Sequence, residues 1–90
     1  MWGLQPEALT QSSLADALDR LAERLQDETG VAARLAVTGT PRSLSAQAEI
    51  ALLRAGQEGL TNIRKHARAT QVVVTLSYMG DRVILDVRHR

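Results

Sequence analysis

With 90 residues, 44% of them apolar and 2% aromatic, the chain has material for one small core, which excludes a multidomain machine. Folding at this length removes only about 60–65% of the unfolded surface from water, and with no Phe, one Trp and one Tyr the core falls to Leu, Val, Ile and Ala, so stability should be modest. Eleven basic residues against ten acidic ones leave a net charge of +1, too little for a global field that would hold the chain on nucleic acid or an anionic membrane.

Met1 to Thr10 carries neither the cationic region nor the apolar run of a secretion signal, and nowhere do about 18 consecutive apolar residues occur, as a membrane span requires. No membrane contact is expected of this segment. Cysteine is absent, which removes disulfides, thiolate metal sites and a Cys nucleophile and fits a cytoplasmic location. Trp2 reads either as an anchor for a partner helix or as an exposed aromatic left at an untidy terminus.

From Leu14 the apolar residues Leu14, Leu18, Leu21 and Leu25 recur every three to four positions, one stripe of an α-helix. Ser13 followed by Asp16 resembles a capping box, and Gly30 supplies the left-handed stop. Asp27 and Glu28 stand at the unfavourable end of that helix dipole. Val31, Ala33, Leu35 and Val37 then alternate with other residues as in a strand, closed by Gly39-Thr40-Pro41.

A longer helix is expected from a cap at Ser43 or Ser45 to about Ala67, with Ile50, Leu53, Gly56, Leu60, Ile63 and Ala67 on one face. Gly56 and Gly59 each cost it about 1 kcal/mol relative to Ala, so some neighbour must approach closely there. Gln71 to Tyr78 and Val83 to Arg88 alternate around Met79-Gly80-Asp81-Arg82, a β-hairpin. The order α-β-α-β-β predicts an α+β fold, a two-layer sandwich with both helices on one face of a three-stranded sheet.

The second helix has an opposite, polar face on which Arg54, Glu58, Asn62 and then Lys65 or His66 follow at helical spacing. Glu58 and Asn62 lie one turn apart, so their oxygens can converge on one small object while Lys65 reaches beside them. A carboxamide oxygen suits Mg²⁺, which completes its octahedron with water and phosphate oxygens, and a neighbouring carboxylate can orient or deprotonate a nucleophile. This pattern reads as a site for a Mg²⁺-nucleotide triphosphate. Spacing alone favours a plainer reading: an exposed Arg54–Glu58 ion pair, a surface Asn62, and a basic cluster Arg64-Lys65-His66-Arg68 at a helix end.

The run Leu53-Arg54-Ala55-Gly56-Gln57-Glu58-Gly59-Leu60-Thr61-Asn62-Ile63-Arg64-Lys65-His66-Ala67 resembles the N box of the ATP-binding domain of two-component sensor histidine kinases. Arg54, Gln57, Glu58, Leu60, Thr61, Asn62, Lys65, His66 and Ala67 fall in register with it. Leu4-Gln5-Pro6-Glu7-Ala8-Leu9 is similar to the Leu-x-Pro-x-x-Leu segment that leaves the dimerisation helices of that family. The resemblance covers nearly the whole chain and implies two parts. Residues 1–12 would follow the dimerisation helices, and 13–90 would form a partial Bergerat-type domain, the fold shared with gyrase and MutL, with ATP lying over the helices.

Carried over, the resemblance implies Asn62 as the Mg²⁺ ligand, Glu58 as the catalytic carboxylate that helps activate the accepting nucleophile, and Lys65 as a phosphate contact. Thr61 and His66 would support the nucleotide. ATP and Mg²⁺ are the implied cofactors. The implied partners are the dimerisation and phosphoacceptor domain of the same kinase and a response regulator, in a parent that can be membrane-anchored; strand edges and a helix face left uncovered add the expectation of a second copy, as a dimer or strand-exchanged homo-oligomer.

The chain also departs from that family. His89 and Arg90 stand where the adenine-binding Asp-x-Gly-x-Gly should open, and the lid and second glycine box would lie beyond Arg90, as the phosphoacceptor histidine would lie before Met1. The expectation is therefore a front portion of the domain that binds ATP weakly or not at all alone and gives no phosphotransfer. The alternative is a regulatory or self-associating module that kept the fold and lost catalysis. Arg82, Arg88 and Arg90 could steer an anion or simply occupy the solvent side of a strand. A nucleic-acid module is disfavoured, because the stacking aromatics of RNA-binding sheets are missing.

Overall fold

In the structure, a computed structural model, residues 6–66 and 68–90 are described, with side chains at 14–65 and 68–90. Trp2, Leu4, Gln5 and Ala67 lie outside the described residues, as do the side chains of Ser13 and His66. The elements are α1 (Pro6–Thr29), β1 (Ala32–Thr38), α2 (Ala46–His66), β2 (Gln71–Tyr78) and β3 (Val83–His89). This is the α+β order read from the sequence.

Helix α1 runs unbroken through Ser13, which corrects the expected cap. Leu14, Leu18, Ala22 and Leu25 form the buried line, each 3% exposed or less. At the other end Gly30 adopts φ 79° and donates from its N–H to the Gln26 carbonyl at 2.8 Å, the left-handed closure that favours glycine. Two side chains then guide the chain into β1. Val31 N–H donates to Thr29 Oγ1 at 3.2 Å, and Ala33 N–H donates to Gln26 Oε1 at 3.0 Å.

The sheet has the order β1-β2-β3. Strand β1 pairs in parallel with β2, Ala32 opposite Gln71 through Thr38 opposite Ser77. Strand β3 pairs antiparallel on the other side, Val72 opposite His89 through Tyr78 opposite Val83. A parallel pair needs a crossover, and α2 is that crossover. Central β2 puts Val72, Val74, Leu76 and Tyr78 on the helix side, all buried, while Val73, Thr75 and Ser77 face the other way. Both helices lie on one side, making two layers.

Two clusters fill the core. Leu25, Leu60, Ile63, Val72 and Val74 form one, and Leu14, Leu18, Leu76 and Tyr78 form the other. Leu21, Leu35 and Leu85 pack against both. Aliphatic residues thus carry the core, as composition required, with Tyr78 its single aromatic member. Burial raises the Tyr78 phenol above its ordinary pKa, the Glu49 charge adds to this, and Arg42 opposes it. No helix among the described residues is long and apolar enough to cross a membrane.

Candidate functional site

Helix α2 is capped by Ser45, whose Oγ accepts from Ala48 N–H at 3.1 Å, deciding between the two serines expected to start it. Its inner face carries the glycines because there is no room for more. A Cβ at Gly56 would lie 2.7 Å from Cδ2 of Leu18 and 3.6 Å from Cδ2 of Leu85; one at Gly59 would lie 3.2 Å from Cγ2 of Val87. The close neighbours implied by the two glycines are therefore α1 and β3. Leu60 and Ile63 complete the buried line. Ile50, expected on the same line, is 51% exposed. Ten residues before Leu60, it is turned about 80° away from that residue around the helix axis.

Anchored this way, α2 turns its polar face to solvent. Arg54, Gln57, Glu58, Thr61, Asn62 and Lys65 are all exposed. Successive members four apart stand about 5–6 Å from one another at Cβ, so Arg54, Glu58 and Asn62 form one ladder, and Lys65 lies one turn beyond Asn62. His66 is the last described residue of α2.

The bland reading of this face required an Arg54–Glu58 pair. Among the described residues no ion pair joins them. The pairs are Arg64–Glu28 at 2.5 Å, Arg88–Asp86 at 2.8 Å and Arg82–Asp81 at 3.5 Å. The first of these ties the last turns of α1 and α2 together and takes Arg64 out of the basic cluster. It also sets a cation against α1's acidic C-terminal turn, where Asp27 and Glu28 oppose the helix dipole. Both partners are about half exposed, so its contribution is small.

Chemically, the ladder offers one carboxylate, one carboxamide and one ammonium with little else committed to packing. Its oxygens are hard donors, which suit Mg²⁺. Among the described residues no group of three or more His, Asp or Glu side chains gathers as a closed metal cage would need. His89 lies at the end of β3 opposite Val72.

The opposite sheet face carries charge that no single stretch of the sequence displays in full. There Arg34 of β1 and Arg88 of β3 flank Val73 of β2 in register. The hairpin arginines were visible in the sequence. Arg34 joins them only through the parallel pairing of β1, which no local pattern encodes.

No family model matches the chain, and no solved structure matches it significantly. Curated proteins do. The chain is 33% identical over 73 residues to the sensor histidine kinase MctS of Rhizobium johnstonii, covering 81% of this chain and 16% of that protein. It is 32% identical over 80 residues to the nitrate/nitrite sensor protein NarX of Escherichia coli K12, covering 89% and 13%. Against the sensor histidine kinase LnrJ of Bacillus subtilis the identity is 30% over 76 residues, covering 84% and 19%. The matched chain thus spans less than a fifth of the length of each of these relatives. Two sensor histidine kinases align at 33% and 30% identity over 81% and 84% of its residues, and on that ground the chain belongs to the sensor histidine kinase family, as a segment of it.

Proposed function

We propose that this chain is the segment of a two-component sensor histidine kinase that holds the metal and phosphate half of an ATP site. The observation that carries this reading is the outer face of α2. Glu58, Asn62 and Lys65 stand exposed on one helix whose inner face is locked by Gly56 and Gly59. In this reading the Asn62 carboxamide oxygen ligates Mg²⁺, the Lys65 ammonium contacts phosphate oxygens, and Glu58 accepts a proton from, or orients, the nucleophilic histidine. Thr61 and His66 support the nucleotide from the same helix. Bound Mg²⁺ would neutralise phosphate charge, and the chain's own part is positioning and electrostatic complementarity, on which phosphoryl transfer mainly depends.

The same reading makes the fold part of a Bergerat-type domain in the cytoplasm. It works as a dimer and phosphorylates a histidine of the adjoining dimerisation domain, from which a response regulator takes the phosphoryl group. Radiolabelled ATP tests it. In a kinase carrying this segment, Asn62→Asp should lower autophosphorylation about a hundredfold or more while leaving the circular dichroism unchanged. Full activity in that variant would overturn the assignment. The isolated chain should show no phosphotransfer, and micromolar Mg²⁺-ATP affinity in calorimetry would contradict the incomplete-site part of the reading.

A second reading rests on His89, which occupies the position where the family's adenine-binding Asp is expected. It makes the segment a catalytically silent regulatory or self-associating module. Normal autophosphorylation by the kinase that carries His89 would exclude it.

A further inference from the structure

The open face of the sheet is chemically polarised. Its rows run across the three strands, and the register makes each row explicit. Thr38, Ser77 and Ile84 form a neutral row in which Thr38 Oγ1 donates to Ser77 Oγ at 2.8 Å. Ala36, Thr75 and Asp86 form the next. Arg34, Val73 and Arg88 form the third, and beyond it Arg90 bonds Gln71 through the main chain, its N–H donating to the Gln71 carbonyl at 2.9 Å. Positive charge therefore accumulates at one end of the face in a protein whose net charge is only +1.

These residues surround a depression of about 390 Å³ lined by Arg34, Gln71, Val73, Arg88, His89 and Arg90. Asp86 is the acidic side chain engaged there, and it takes the Nε–H of Arg88 at 2.8 Å. That bond uses one donor of the Arg88 fork and leaves the terminal nitrogens available. Arg34 has no acidic residue opposite it in its row. Two strand spacings, about 10 Å, separate the Arg34 and Arg88 backbones, so their long side chains can reach one ligand lying over Val73. A single carboxylate is too small to engage both forks and Arg90 together. An anion with several oxygens on linked phosphates is not, and guanidinium forks match phosphate oxygens in pairs.

We propose that the Arg34–Val73–Arg88 row, with Arg90, is a binding site for a small polyphosphate anion. It lies on the opposite side of the sheet from α2, so it is separate from the Glu58, Asn62 and Lys65 ladder and does not depend on that assignment. The competing explanation is that these arginines only keep exposed strands from pairing with other chains.

Titrating ¹⁵N-labelled chain with inorganic pyrophosphate at low salt separates the two. Saturable shifts are expected at the amides of Gln71, Val73 and Arg88, weakening as salt rises. The paired variant Arg34→Gln/Arg88→Gln should weaken binding about tenfold or more, the share of lost charged hydrogen bonds, while Asn62→Asp leaves it unchanged. Each variant's amide spectrum reports independently that it is folded. Anionic phospholipid vesicles should not retain the chain, because the site is a recess for a free anion. No saturable shift, shifts spread evenly over Arg20, Arg24 and Arg42 as well, loss of binding only in Asn62→Asp, or retention on vesicles in place of pyrophosphate binding would each overturn the proposal.

Discussion

The two faces of α2 obey different rules. On the inner face, Gly56 and Gly59 meet Leu18, Leu85 and Val87 so closely that a single added carbon is resisted, and Leu60 and Ile63 lie in the core. On the outer face, Glu58, Asn62 and Lys65 are exposed and nothing in the packing selects their identity. Residues only one or two positions apart on one helix are thus chosen by two separate demands, one steric and one chemical. Glycines that weaken the helix locally hold it close to the sheet, and that close packing fixes the direction in which the outer ladder points.

Substitutions on the two faces should therefore differ widely in cost. The largest effect is expected at Leu18, which is fully buried against Gly56. Leu18→Ala should lower unfolding free energy by about 2–5 kcal/mol in urea titration, since it leaves a cavity that only partly collapses. Next comes Gly56→Val, which places a branched side chain where Cδ2 of Leu18 already sits 2.7 Å from the first added carbon. A loss of roughly 1–3 kcal/mol is expected by the same titration. A gain there would mean that α2 can move outward, and the inner face would not be the constraint described. The smallest effect belongs to the outer face. Asn62→Asp should change stability by no more than about 0.5 kcal/mol, and a large loss would show that Asn62 is structural.

Much of this arrangement could be read along the chain. The buried line of α1, the hairpin and the meaning of Gly56 and Gly59 all follow from local periodicity or from a residue that local propensity disfavours. The start of α1 did not. Ser13 followed by Asp16 looks like a cap, but a polar residue near an apolar stripe is also common within a helix, and the element runs straight through it. Ile50 was misplaced because a stripe that is read over many turns drifts around the helix axis. Of the site, the Glu58, Asn62 and Lys65 ladder was legible because one helix carries all of it. The Arg34, Val73 and Arg88 row was not, because it exists only once three strands are side by side.

The register of β2 also has a consequence in time. With β3 it closes a hairpin across the short turn in which Met79 N–H donates to the Arg82 carbonyl at 2.8 Å, an event of about 1–10 μs for such a ribbon. With β1 it pairs residues separated by 39 positions, as Thr38 and Ser77 are. That search must close a long loop before any contact rewards it, and such non-local pairing slows folding. The central strand therefore joins its two neighbours on different clocks. Until β1 arrives, one edge of β2 stands unpaired, and the nascent chain is at its most vulnerable to joining another copy in that interval.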